Sequence, residues 1–251
     1  MRCLARLYCI TAALLLALLP PLPAAAEDGG GLRVLLNHAP PYRIVSRDHG
    51  VPRHSGIYVD IAEAAAKRAG LKLAFIEVPY ARAFAMMENG EGDMMLGPNR
   101  TAERERYLLY LEPALPAEPK AFVIRRNGGP AIADHAALRG LRIAILRGAR
   151  HSARFDGDGA LDRIPVVSYE EALRMLQGGR VDTAIMPELR ARWLLRGQIG
   201  LNLAAHQEPG EPSHIVLSRR GNGRDAAAAL SLALRQMQQA GEIARILALY
   251  S

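Results

Sequence analysis

Apolar positions recur along the chain in two alternating periods. LRVLLN (Leu32 to Asn37) is a short apolar run closed by HAPPY, whose prolines bar a helix, so it predicts a strand. VDIAEAAAKRAG (Val59 to Gly70) has helical spacing, many alanines and a final glycine, which predicts a helix with Gly70 at C′. KLAFIEV (Lys72 to Val78) predicts a strand, YARAFAMMENG (Tyr80 to Gly90) a second helix and DMML (Asp93 to Leu96) a buried strand. The alternation resumes with AFVIRR (Ala121 to Arg126), LRIAIL (Leu141 to Leu146), PVV (Pro165 to Val167), YEEALRMLQGG (Tyr169 to Gly179), TAIM (Thr183 to Met186) and HIVLS (His214 to Ser218). A helical run from Asp225 to Gln239, then Gly241 and a short helix to Tyr250, closes the chain. Strands alternating with helices predict an α/β fold with mostly parallel sheets covered by helices.

Two proline-rich stretches interrupt this pattern: LEPALPAEP from Leu111 to Pro119, and HQEPGEPS from His206 to Ser213. They read as crossings between two compact lobes. An ungapped internal repeat supports two lobes. Tyr80 to Asp93 aligned on Tyr169 to Asp182 matches Tyr80/Tyr169, Ala83/Ala172, Met86/Met175, Gly90/Gly179 and Asp93/Asp182. Each copy is a helix, a glycine stop and an aspartate that opens a buried strand. A cleft between two such lobes is a common place for a ligand.

The first residues change the count. Met1 to Leu7 carries Arg2 and Arg6 and no acid, Ile10 to Leu19 is apolar, and prolines then precede Ala24-Ala25-Ala26. This is the order of a secretory signal peptide, with cleavage expected after Ala26 and a periplasmic product. The apolar run is too short to span a bilayer. Cleavage would take both cysteines, Cys3 and Cys9, and lower the formal charge from +7 to +5. Disulfides, thiolate metal ligands and cysteine nucleophiles are then excluded from the mature chain.

Nucleophile elbows, zinc-protease helices and phosphate loops are missing from the 251 residues. The seven histidines (38, 49, 54, 135, 151, 206 and 214) lack i, i+4 ligand spacing, so neither a metal nor a cofactor is expected. Lysines and arginines are scattered, which argues against nucleic acid as the partner of an exported protein.

The stretch Gly92 to Leu115, GDMMLGPNRTAERERYLLYLEPAL, is the most informative. Together with P-P-Y (Pro40 to Tyr42), G-x-x-V-D-I (Gly56 to Ile61), G-x-x-D (Gly90 to Asp93), T-x-E-R (Thr101 to Arg104), L-E-P (Leu111 to Pro113), L-R-G-L-R-I-A-I-L-R-G (Leu138 to Gly148) and G-G-R-V-D-T-A (Gly178 to Ala184), it resembles the family 3 periplasmic solute-binding proteins. These are the amino-acid-type receptors of ABC transporters. The resemblance implies a type II two-lobe periplasmic-binding-protein fold with two hinge crossings and a ligand cleft between the lobes. Lobe 1 would take residues 27–117 and 214–251, and lobe 2 residues 118–213. It also implies a monomer that captures an amino-acid-like or carboxylate solute by hinge closure and delivers it to an inner-membrane permease, without catalysis.

Site residues follow from the same resemblance. Arg104 matches the arginine that clamps a ligand carboxylate, for which a planar guanidinium suits better than lysine. Tyr42 and Tyr80 match aromatic positions beside the ligand, and Gly97 and Pro98 match a loop offering carbonyls to a ligand ammonium. The chain departs from the pattern in lobe 2. Pro187, with Glu188 beside it, stands where the family's ammonium-binding aspartate is expected, and the anion loop reads Gly148-Ala149-Arg150-His151-Ser152. Arg82, Arg100, Arg104 and Arg150 around the cleft would favour an anionic ligand, although each of the other three also fits a solvated rim charge. Two other classes stay open: a sensory receptor for a membrane kinase, and a dehydratase-like enzyme with Glu188 as its sole general acid or base.

Overall fold

A computed structural model describes residues 30 to 250. The expected signal segment, Met1 to Ala26, lies outside the described residues. The chain starts with β1 (Leu32–Leu36), a hairpin of β2 (Ile44–Asp48) and β3 (Val51–Ser55), α1 (Ile57–Arg68) and β4 (Leu73–Glu77). It continues with α2 (Tyr80–Asn89), β5 (Met94–Asn99), the one-turn helix α3 (Ala102–Glu105) and β6 (Leu108–Tyr110). Residues 111–119 cross to β7 (Lys120–Arg125), β8 (Arg142–Leu146), α4 (Ala153–Gly157), β9 (Asp162–Val166) and α5 (Tyr169–Gln177). Then come β10 (Thr183–Pro187), α6 (Glu188–Leu195) and β11 (Leu201–Glu208). Residues 209–212 cross back to β12 (Ser213–Ser218), α7 (Ala227–Gln239) and α8 (Glu242–Ala248).

Two five-stranded sheets result, in the orders β4-β1-β5-β12-β6 and β9-β8-β10-β7-β11. They share one plan, and it corrects the expectation of mostly parallel sheets. In each, three strands run parallel and the fourth, β12 or β7, runs antiparallel to its neighbours. The reason is connectivity. β5 and β10 run toward the space between the sheets, whereas β12 and β7 arrive from it through a crossing and must run away. Ser213 therefore pairs with Asn99, and Lys120 with Pro187, at matching ends of the two sheets.

Period-two alternation sends neighbouring strand residues to different layers. Val34, Leu36, Met94, Leu96, Ile215 and Leu217 pack with α1 and α7 on the outer face of the first sheet. Leu35, Met95 and Val216 face α2 in a second core, which continues through Leu146, Tyr169, Leu173 and Met186 of the other sheet. Behind that sheet, Phe122, Ile143 and Ile185 meet Leu138 and Phe155 in a third cluster. Both faces of each sheet are thus covered, as strand-helix alternation requires.

The internal repeat is geometrical as well as textual. Gly90 and Gly179 end their helices in the left-handed conformation at φ 79° and 69°. The next N–H, of Glu91 or Arg180, returns to the carbonyl of Met86 or Met175 at 2.9 Å in both copies. Arg33 Nη2 then donates to the Gly90 carbonyl and Arg142 Nη2 to that of Gly179, each at 2.9 Å.

The β2–β3 hairpin, β6, α4, α6 and β11 were not foreseen. The β2–β3 hairpin is largely polar, α6 begins directly after Pro187, and β11 continues to Glu208 inside a stretch expected to be loose. A register shift between Leu203 and Gln207 lets β11 keep pairing with β7. Among the described residues, no helix is long and apolar enough to cross a membrane.

Candidate functional site

A cavity opens where the C-terminal ends of the parallel strands of the two sheets face each other, the usual ligand position in open α/β sheets. After β1, Pro40 and Pro41 force a tight turn in which Ala39 and Arg43 bridge. This turn presents Tyr42 and Arg43 to the cavity. Tyr58, from the first turn of α1, stacks on Tyr42 with ring centroids 4.9 Å apart. Arg43 Nη1 donates to the Leu96 carbonyl at 2.6 Å, and its guanidinium lies 5.7 Å from the Tyr80 ring. Gly97 has φ 93°, and a Cβ there would come within 2.6 Å of the Tyr58 ring and 2.8 Å of Arg43 Nη1. Glycine is required at this position so that both side chains can close on the strand.

The opposite wall comes from the second sheet and its loops: Lys120, Leu146, Ala149, Arg150, His151, Tyr169. Pro187 and Arg190 complete it, and Glu118 and Glu211 lie on the two crossings. Arg190 is only 1% exposed. Its Nη1 donates to the Pro40 carbonyl across the cleft and its Nη2 to Glu170, both at 2.5 Å, while its Nε is buried with no partner among the described residues. His151 is 2% exposed; Nδ1 faces Asp156 at 3.4 Å, and Nε2 is buried without a partner among the described residues. Burial holds the His151 ring below its ordinary pKa, although Asp156 opposes this. Burial likewise lowers Lys120, whose ammonium makes no hydrogen bond or ion pair with another described residue. Glu118 is pushed up by burial, yet both its oxygens are occupied: Tyr42 Oη donates to one and the Leu189 N–H to the other. Burial also pushes Tyr58 up to about 12.

Four cationic side chains therefore line the cavity against two carboxylates, one of them already engaged by the protein. Tyr42, Tyr58, Tyr80 and Tyr169 supply apolar faces between the charges. Such a wall holds a small anion by charge-assisted hydrogen bonds and packs its carbon skeleton on rings.

Of the residues expected from sequence, Tyr42, Tyr80, Gly97 and Arg150 line this cavity. The others do not. Pro98 is buried behind the lining, and its carbonyl faces the His214 ring. Arg82 is exposed on the outer side of α2. Arg100 is drawn outward by Glu112 at 3.0 Å and lies over the Tyr110 ring. Arg104 is 6% exposed but turned aside: its guanidinium sits 4.1 Å from the Phe84 ring centroid and donates to the Asn99 and Gly148 carbonyls. Glu188 pairs with Arg192 at 2.6 Å and borders a separate apolar pocket between α1, α6 and the first crossing. Sequence reasoning missed Arg43, Lys120 and Arg190. Arg43 directly follows the P-P-Y motif, a signal that was available; Arg190 looks like any helix-surface arginine.

The family model for bacterial extracellular solute-binding proteins, family 3, matches residues 32–251. The chain belongs to that family. A member of family 3 is a solute-binding protein, and the described fold is that of its type II relatives. The L-cystine-binding protein TcyA of Bacillus subtilis (strain 168) is 24% identical over 199 residues, 79% of this chain and 73% of TcyA. An amino acid ABC transporter substrate-binding protein, AbpA from Streptococcus pneumoniae, solved with L-arginine, superimposes with a TM-score of 0.76 at 15% identity, covering 90% of this chain and 96% of AbpA. A histidine kinase sensor domain with similarity to periplasmic binding proteins reaches 0.74 at 21% identity, covering 88% and 95% of the two chains. These structural likenesses establish the shared fold.

Proposed function

We propose that this family 3 protein is the monomeric periplasmic receptor of an ABC uptake system for a small, polar, carboxylate-bearing solute, with an organic anion preferred over a neutral amino acid. The observation that carries the preference is the lining of Arg43, Lys120, Arg150 and Arg190 against Glu118 and Glu211, with Pro187 where the family's ammonium partner is expected. TcyA and AbpA are described with L-cystine and L-arginine. A guanidinium ligand in this cavity would meet four like charges, which is costly in a partly desolvated site. Capture works by closure of residues 27–117 and 214–251 onto 118–213 about the two crossings, after which the closed lobes dock on the inner-membrane permease.

The reading includes export by cleavage after Ala26 and binding without catalysis or cofactor. Glu188 turned to Arg192 supports the absence of acid–base chemistry. The test is a calorimetric and thermal-shift panel of mono- and dicarboxylates against neutral and cationic amino acids. Carboxylates are expected to raise the melting midpoint, because a ligand that binds only the folded state stabilises it. Tight arginine binding with no response to any organic acid overturns the proposal.

A further inference from the structure

The second lobe holds a polar cluster that the ligand cavity does not use. Glu208, at the end of β11, is 1% exposed and has no lysine or arginine partner among the described residues. Two imidazoles converge on its Oε1: His135 Nδ1 at 2.6 Å and His206 Nε2 at 3.1 Å. His206 and Glu208 are i, i+2 on one strand and so share a face, a spacing that a search for helical i, i+4 pairs does not find. The ligand atoms of His135, His206 and Glu208 all lie within 4.8 Å of one another.

We propose that His135, His206 and Glu208 form a site for a first-row divalent cation of the zinc type. Two histidines and a carboxylate are a donor set that zinc favours, with a remaining position for water. Zinc bonds of roughly 2.0–2.2 Å set tetrahedral donors about 3.3 Å apart, so His135 Nδ1 must draw back from Glu208 by about 0.7 Å and His206 Nε2 by about 0.2 Å.

The surroundings are those a metal site requires. His135 Nε2 faces Asp158 Oδ2 at 3.1 Å. A carboxylate on the far nitrogen fixes the tautomer that leaves Nδ1 free to ligate. Ser152 Oγ donates to Glu208 Oε2 at 2.9 Å, and the His206 ring stacks over Phe122 at 5.8 Å. Two carboxylates with two neutral imidazoles carry a charge of −2, which a dication balances. The competing arrangement is a His135 imidazolium bonded to both carboxylates. Ser152 caps α4 just after the cavity loop, and Glu208 precedes the second crossing. A bound ion thus ties together two segments that feed the ligand cavity.

The experiment uses the tag-free chain stripped with EDTA, then loaded with zinc and desalted. About one zinc per chain is expected by elemental analysis, with a raised melting midpoint. His206→Ala and Glu208→Gln should lose the retained zinc, and Asp158→Asn should weaken affinity about 10–100-fold. His49→Ala, on an exposed loop, should retain it. Cobalt loading of the unmodified chain gives a readout independent of variant folding: a tetrahedral site shows intense visible absorption. Zinc lost on desalting, zinc retained equally by His206→Ala, or a weak octahedral cobalt spectrum would each overturn the proposal in favour of the imidazolium.

Discussion

Arg104 Nη2 donates to the Gly148 carbonyl at 2.6 Å, joining the helix that follows β5 to the loop that follows β8. The two residues sit on opposite sides of the cleft, and Phe84 covers the guanidinium at 4.1 Å. Resemblance to the family implied an arginine on the ligand carboxylate. Here the same side chain is a latch between lobes, and Arg43 and Arg190 face the cavity in its place.

The latch makes a prediction. Arg104→Ala removes one cleft-crossing hydrogen bond from a charged donor, to the Gly148 carbonyl, and such a bond contributes roughly 1.5–3 kcal/mol. The closed form should lose about that much relative to the open form. Small-angle scattering of the variant should show a larger radius of gyration than the parent. An unchanged radius and unchanged ligand affinity would show that Arg104 holds nothing together.

Asp93 and Asp182 make a second. Each carboxylate accepts from the backbone N–H and the guanidinium of an arginine near the start of a neighbouring strand, Arg33 or Arg142, at 2.8–3.0 Å. Burial works against ionisation of Asp93, but the hydrogen bonds from Arg33 and Asn222 outweigh it, and its carboxyl lies below the ordinary value. A depressed carboxyl stabilises the fold above its unfolded pKa of about 3.9 and loses that contribution as pH falls through the folded value. Denaturant midpoints should therefore drop between pH 5 and pH 3, less so in Asp93→Asn. At pH 7, Asp93→Asn should cost roughly 1–3 kcal/mol, since it leaves Arg33 and backbone donors poorly paired. Asp182→Asn should cost less, because that pair is more exposed.

Much of this architecture was legible because helix stops and strand openings carry local signals. Gly70, Gly90 and Gly179 adopt positive φ where the helices end, and the internal repeat with its five identities marks two copies of one joint. Strand direction carries no such local signal: β7 and β12 are antiparallel because of where the crossings deliver them. Serine, arginine, aspartate and histidine fill the β2–β3 hairpin, so no apolar alternation betrays it. At the site, motif positions located Tyr42, Tyr80, Gly97 and Arg150. Lys120 and Arg190 stayed hidden, because burial of a long cationic side chain depends on the facing lobe and not on its own neighbours in sequence.

Lys120 gives the prediction that separates stability from binding. It is 6% exposed and lines the cavity, and its ammonium lacks a hydrogen bond or ion pair with another described residue. Burial lowers its pKa, partly offset by Glu118 and Glu211, so its charge is a cost to the empty protein. Replacing a poorly compensated buried charge by an apolar side chain of similar volume is often neutral or stabilising. Lys120→Met should therefore hold or raise the melting midpoint without ligand. It should also weaken the tightest carboxylate by about 10–100-fold, the equivalent of one charge-assisted hydrogen bond at roughly 1.5–3 kcal/mol. Calorimetry and a melting curve on the same preparation decide it. A lower midpoint with unaltered affinity would mean that Lys120 supports the fold and leaves the ligand alone.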